Sequence, residues 1–213
     1  MPCQRYCNPV PTSPSMQRPH ALLLDFDGLL ADYDHRIHLR QLADAAGCTP
    51  EQMDAALRTD GLEFAHARGE LDGEQLLQAL NRRLGSALGA PRWHAARLAA
   101  TTLRSDCMAV LERVHADVQV AVLTNNGLLT RPVIEQLLGG RRVLCSAALG
   151  VRKPDPAAYL AACAALGCAP ERSLFVDHLF RNVQGAREAG LPADTAFHAQ
   201  SLRRLLKRNH CLG

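Results

Sequence analysis

Aromatic side chains are scarce: five Phe, three Tyr and one Trp make up 4% of the chain. The core must therefore be built from aliphatic residues, and abundant Ala and Leu suit a helix-rich α/β protein. Long apolar runs are missing as well. None approaches the roughly 18 residues needed to cross a membrane as a helix, so a membrane partner is not expected. Charge of one sign is also lacking. Twenty-four Lys and Arg against 21 Asp and Glu leave +3, scattered along the chain rather than striped. That describes a solvated surface and not a nucleic-acid platform. The eight cysteines include no Cys-x-x-Cys pair. In a chain of this length with no recognisable export signal they are expected to be reduced, which implies a cytoplasmic protein. The stretch Met1 to Pro19 contains prolines and no apolar segment, and is expected to be a disordered leader.

What is present begins with Ala21-Leu22-Leu23-Leu24-Asp25-Phe26-Asp27-Gly28. An apolar run that breaks off at Asp-x-Asp-Gly reads as a buried parallel strand delivering acids to its carboxyl end, where open α/β sheets place their chemistry. The period of two puts Asp25 and Asp27 on the same side. Nearby carboxylates are costly without a cation, so the rest of the chain should supply one. Helical patterning then fills some seventy residues. Helices are expected over His35 to Ala46, closed by Gly47; from a Thr49-Pro50 start; over Gly61 to Ala67; over Gly73 to Leu84 after an Asp72 cap; and over Pro91 to Leu103.

Strands return at Val118 to Leu123, Val143 to Cys145, Ser173 to Val176 and Ala196-Phe197, with helices between them. This alternation predicts an α/β fold, a Rossmann-like parallel-sheet core. The division expected is a leader (1–19), a core (20–33 and 89–213) and a small inserted α-helical cap (34–88).

Four pieces carry the chemistry: Asp25-x-Asp27-Gly28, Thr124-Asn125, Lys153 in Val151-Arg152-Lys153-Pro154-Asp155-Pro156, and Asp177 after Leu174-Phe175-Val176. Three lie just past strand ends, which a doubly wound sheet gathers on one edge. This ordered set resembles the haloacid dehalogenase superfamily, in the branch with a helical cap inserted after the first motif (subfamily IA-like).

The resemblance implies a metal-dependent phosphomonoester hydrolase acting on a small phosphorylated metabolite through an aspartyl-phosphate. Asp25 would be the nucleophile and Asp27 the acid and base. Thr124 and Asn125 would hold phosphoryl oxygens, and Lys153 would neutralise nucleophile and phosphate. Mg²⁺ would sit on Asp25, the Asp27 carbonyl and Asp177. A phosphate dianion facing one carboxylate at ~4 Å costs about 8 kcal/mol at an effective dielectric of ~20, which explains the need for the cations. A halide leaves without a proton, whereas an alkoxide needs one, so Asp27 favours phosphatase over dehalogenase.

The sequence departs from the family pattern at His178, where relatives carry a second acid. Imidazole is a poor ligand for Mg²⁺ and suits Mn²⁺ or Co²⁺ better. Two alternatives remain beside the phosphatase: a phosphosugar mutase, and a catalytically weakened binding or regulatory protein on the same fold. The other conspicuous residues have plainer readings. Asp32 and Asp34 read as solvated surface, Asn182 and Asp155 as helix caps, and Trp93 as packing. His35 and His38 lie on an exposed helix face. Arg36, Arg40, Glu63, Phe64 and Arg68 are the cap positions available to face a substrate.

Overall fold

The computed structural model describes residues 18–213, so all but the end of the expected leader lies outside it. At its centre β1 (Ala21–Leu24) is flanked by β4 (Gln119–Thr124) and β6 (Ser173–Asp177). Outside these lie β5 (Arg142–Cys145) and β7 (Ala193–Thr195). All neighbours in this five-stranded sheet, ordered β5-β4-β1-β6-β7, run parallel. The fold is α/β, as the alternation of strands and helices predicts.

Because both faces of a parallel sheet are covered, β1 is apolar throughout and wholly buried. Leu22 and Leu24 point into a cluster with α6 (Ser105–Leu111), α7 (Arg131–Leu137) and α11 (Ala199–Arg208). Ala21 and Leu23 point the other way, against α9 (Pro156–Leu166) and α10 (Phe180–Glu188). Replacing any of these leucines by Ala costs about 2–5 kcal/mol at such sites.

Between β1 and β4 the chain makes β2 (Ala31–Tyr33), then α1 (His35–Ala46), α2 (Pro50–Arg58), α3 (Leu62–Ala67), α4 (Gly73–Leu84) and α5 (Ala90–Ala99), and returns through β3 (Thr101–Leu103). The caps are those expected. Thr49 and Asp72 form capping boxes with Gln52 and Gln75, and Gly47 closes α1 at φ 70°. These helices bury their own cluster, including Leu42, Met53, Leu76, Leu80 and Trp93. It takes in Ala96 as well, so the helical layer continues beyond residue 88.

Two elements differ from the pattern-based expectation. The helix expected over Pro91 to Leu103 stops at Ala99, because the β-branched Thr101 and Thr102 pair antiparallel with Tyr33 and Asp32. The last strand is Ala193–Thr195 and not Ala196-Phe197; Ala196 instead packs in the core while Phe197 is exposed. A short helix, α8 (Ser146–Leu149), follows β5 and abuts the helical layer, where the Ser146 hydroxyl donates to the Ala67 carbonyl at 2.7 Å.

Candidate active site

Parallel strands in register end together. Leu24 lies opposite both Val122 and Val176, so Asp25, Thr124 and Asp177 emerge at the same edge of the sheet. Lys153 arrives from the loop between α8 and α9. Its ammonium lies 2.7 Å from Asp25 Oδ1 and 2.8 Å from Asp177 Oδ2. The amine is almost wholly buried, and burial opposes its charge, yet the two carboxylates hold its pKa above the ordinary lysine value. Burial likewise works against the Asp25 carboxylate, but Lys153 and a hydrogen bond from His178 keep its pKa below the usual range.

His178 occupies the other side of the same two acids. Its Nδ1 is 2.9 Å from Asp25 Oδ2 and 3.4 Å from Asp177 Oδ1. The contact with Asp25 raises the imidazole pKa. The ring rests on Gly28, at φ 87°, where any Cβ would meet it at 2.7 Å. Asp177 also accepts from the Leu179 N–H at 2.8 Å and from Asn182 Nδ2 at 2.9 Å. Asn182 therefore orients this acid; the helix it was expected to cap, α10, has Leu179 at its N-cap position and no side-chain cap.

Asp25, Asp177 and His178 offer one ligand atom each within 4.8 Å of one another. Lys153 takes one oxygen of each acid and leaves the second oxygen of each turned toward the imidazole. That donor set, two carboxylate oxygens and one nitrogen, fits a divalent cation.

Asp27 stands apart from this cluster. Arg97, on α5, forms an ion pair with its Oδ1, and Asn126 Nδ2 donates to its Oδ2 at 2.8 Å and to Thr124 Oγ1 at 2.7 Å. Arg97 is only 3% exposed and its guanidinium lies 3.8 Å from the Tyr33 ring centre. The Tyr33 hydroxyl is in turn 2.6 Å from His38 Nδ1. Burial, with the charge of Arg97 beside it, drives the His38 pKa down to about 3, so the ring is neutral. Burial pushes the Tyr33 phenol up to about 12. His38 is thus a core residue packed edge-on against Trp93, and not the solvated histidine its spacing from His35 suggests.

Asn125 departs from its expected use. Its amide is joined to the Lys153 backbone, Nδ2 donating to the carbonyl at 2.8 Å and Oδ1 accepting from the N–H at 2.9 Å. It holds the lysine loop against the end of β4. Asp155 caps α9 through the Ala157 N–H at 2.9 Å. Asp32 is not simply solvated: it pairs with Arg104, whose guanidinium also donates to the Gly28 carbonyl at 3.0 Å.

Over these residues lies a cavity of about 270 Å³, lined by Asp27, Asn125, Asn126 and Arg152 from the sheet side and by Tyr33, Glu63, Phe64 and Trp93 among others from the helical side. Sequence reasoning missed Arg97, Asn126 and the Tyr33–His38 pair. Asn126 carried a signal, standing next to Asn125 just past a strand end. Arg97 carried none, being one of two arginines on α5 with nothing in the local pattern to mark it. Among the described residues, no helix is long and apolar enough to cross a membrane.

The sequence profile of the haloacid dehalogenase-like hydrolases matches residues 19–190. A protein named phosphatase MT3486, from Mycobacterium tuberculosis, is 38% identical over 92 residues, which span 40% of this chain and 42% of that protein. This chain therefore aligns with less than half the length of that relative. The crystal structure of the HAD family enzyme BT-2542 from Bacteroides thetaiotaomicron superposes with a TM-score of 0.73 at 16% identity, covering 89% of this chain and 99% of that one. A second structure of that enzyme, in complex with magnesium and inorganic phosphate, gives 0.72 over 88% and 98% at 16% identity. The L-2-haloacid dehalogenase from Xanthobacter autotrophicus, with chloropropionic acid covalently bound, gives 0.56 at 21% identity over 92% and 85%.

Proposed function

The chain belongs to the haloacid dehalogenase-like hydrolase family, and on that premise we propose that it is a divalent-metal-dependent phosphomonoester hydrolase. The observation that carries the reading is the Asp27 carboxyl, which lines the cavity and is fixed there by Arg97 and Asn126. A dehalogenase needs no proton donor at that place, since halide departs as a stable anion; an ester oxygen does. The phosphatase name of the mycobacterial relative and the magnesium and phosphate in the BT-2542 complex support the same choice.

In this mechanism Asp25 attacks phosphorus and forms an acyl phosphate as the bond to the ester oxygen breaks, and Asp27 protonates the departing oxygen. Water then attacks phosphorus, gives its proton to Asp27, and the acyl–oxygen link to phosphorus opens to release inorganic phosphate. Lys153 neutralises the nucleophile throughout, and the Thr124 hydroxyl is free to donate to a phosphoryl oxygen, since its own oxygen already accepts from Asn126. Asn125 acts by holding the Lys153 loop.

Asp25, Asp177, the Asp27 carbonyl and His178 are the groups that would hold the cation. When bound, it would offset the negative charge of the phosphoryl group and its attacker. Imidazole in the set tilts selection toward Mn²⁺ or Co²⁺ relative to Mg²⁺. The helices α1–α5 serve as a cap that excludes water and contacts the alcohol part of the substrate, a small phosphorylated metabolite.

The test is a phosphate-release screen over phosphorylated metabolites with Mg²⁺, Mn²⁺ and Co²⁺. Wild-type protein should release phosphate from at least one substrate, and Asp25→Asn should not, while keeping its circular dichroism spectrum. Turnover retained in Asp25→Asn would refute the nucleophile. An isomerised sugar phosphate in place of free phosphate would mark a mutase.

A further inference from the structure

Beside the cavity over Asp27 lies a concentration of positive charge that the phosphatase chemistry does not use. Arg152 and Arg68 flank one ring: their guanidinium carbons lie 4.8 and 5.4 Å from the centre of Phe64. Arg181, on α10, lines a second cavity of about 640 Å³ together with Arg152, Lys153 and Phe64. Arg152 and Phe64 line both cavities and so join the space above Asp27 to this outer one.

The three cations come from different parts of the chain. Arg68 is the C-cap residue of α3 in the helical layer, Arg152 precedes the catalytic lysine, and Arg181 lies in the first turn of α10, the helix after Asp177. Among the described residues only Arg68 has an acidic partner, Glu70 at 2.8 Å, and that pair is half-exposed. Among the described residues no carboxylate stands within ion-pair distance of Arg152 or Arg181, and none supplies a hydrogen-bond partner to the buried Arg152 Nη1. The nearby acids are otherwise placed: Asp155 is committed to its helix cap, and Glu63 is exposed on the inner cavity. Burial, with Arg68 and Arg181 close by, makes the Arg152 guanidinium easier to deprotonate than usual. A partly buried arginine crowded by two others and lacking an acid is costly unless an anion arrives to pair with it.

Resting on the phosphatase reading, we propose that Arg152, supported by Arg68 and Arg181, forms a second oxyanion subsite, and that the substrate carries a distal carboxylate or phosphate on its leaving group. A monoester whose phosphate sits on Asp25 and whose leaving oxygen sits at Asp27 extends through the inner cavity toward Arg152. Its far end is then clamped between the helical layer and the sheet. Phe64, stacked under two guanidiniums, keeps their planar edges turned to the ligand.

The experiment measures binding separately from turnover. Calorimetric titration of the metal-loaded protein compares propylphosphonate with 3-phosphonopropionate and with a bisphosphonate of similar length. One doubly charged compound should bind at least about tenfold more tightly than propylphosphonate, the size expected of a charge-assisted contact. Preference for the carboxylate marks a phosphorylated organic acid; preference for the bisphosphonate marks a bisphosphate. In Arg152→Gln the ratio should fall to near one, and in the surface variant Arg181→Gln it should fall part-way, which covers the case in which the first variant does not fold.

Equal affinities in the wild type, no binding of any phosphonate, or a ratio unchanged in the folded variants would overturn the subsite. The hydrolase reading is judged separately, by phosphate release from p-nitrophenyl phosphate. Protein that discriminates between the phosphonates yet hydrolyses nothing keeps the subsite and loses the hydrolase; the reverse result does the opposite.

Discussion

Asn125 and Lys153 are joined head to tail, with the amide of one closing a ring on the peptide group of the other at 2.8 and 2.9 Å. The ring fixes where the lysine leaves the backbone, 28 residues away in sequence, before its side chain threads inward to Asp25 and Asp177. Replacing the amide by a carboxylate turns its donor into an acceptor facing a carbonyl. Asn125→Asp should therefore lose about 1–3 kcal/mol of stability in urea denaturation and most of its phosphate release. Wild-type kinetics would show that the lysine does not need the ring.

Lys153→Met leaves two buried carboxylates facing each other without their ammonium. Removing one partner of a buried ion pair typically costs about 3–5 kcal/mol, and here two pairs share one cation. Thermal unfolding should shift down by roughly 2–4 °C per kcal/mol in a domain of this size, and turnover should vanish. A melting temperature close to the wild type's would mean that one acid takes up a proton instead.

His178 makes a pH-dependent contribution whose sign can be stated. Its pKa is raised by Asp25 above the ordinary 6.5. The protonated ring therefore stabilises the fold fully below pH ~6.5, and that stabilisation fades as pH climbs through the raised value. In chelator, the stability gap between wild type and His178→Gln should shrink as pH rises above about 6.5 and through the raised pKa, as read by urea denaturation. A gap that stays constant would show the ring to be neutral throughout. In the same series, His178→Asp should tighten Mg²⁺ binding, by supplying a hard oxygen ligand in place of nitrogen.

The helical layer is pinned to the sheet by His66, whose Nδ1 lies 2.9 Å from the Leu71 carbonyl and whose Nε2 accepts the Leu129 N–H at 3.2 Å. The ring lies against Gly127, where an added Cβ would come within 2.1 Å of it. Gly127→Ala should cost about 1–3 kcal/mol through overpacking and raise KM more than it lowers kcat, because the helical wall of the cavity is displaced. Steady-state kinetics on the best substrate from the phosphate-release screen decide this. An unchanged KM would show that the layer's position is not set here.

The features legible in the sequence are those written in consecutive residues. The apolar run before Asp25 gives a central buried strand, and the capping residues Thr49 and Asp72 fix helix starts through bonds to neighbours three positions on. Asp25 meeting Asp177 follows from the rule that parallel strands end together, whereas Lys153 reaches both from the loop before α9. The short pairing of residues 31–33 with 101–103 was not legible, because three-residue strands gain their stability from each other across some seventy positions. Arg97 on Asp27 was invisible for the same reason, since nothing near residue 97 says which acid it will meet. Asn125 misled because a side-chain amide past a strand end serves a ligand or a loop equally well, and only the fold decides.

The anchor of Asp27 comes from α5, the last helix of the inserted layer, so the tether of the proposed acid and the helical wall of the cavity travel as one inherited unit. Transplanting a foreign set of helices between positions 33 and 101 to change what the enzyme accepts would strip the acid of its guanidinium tether at the same stroke. A productive chimera would have to bring along an arginine at the equivalent of position 97, together with the aromatic ring that supports it.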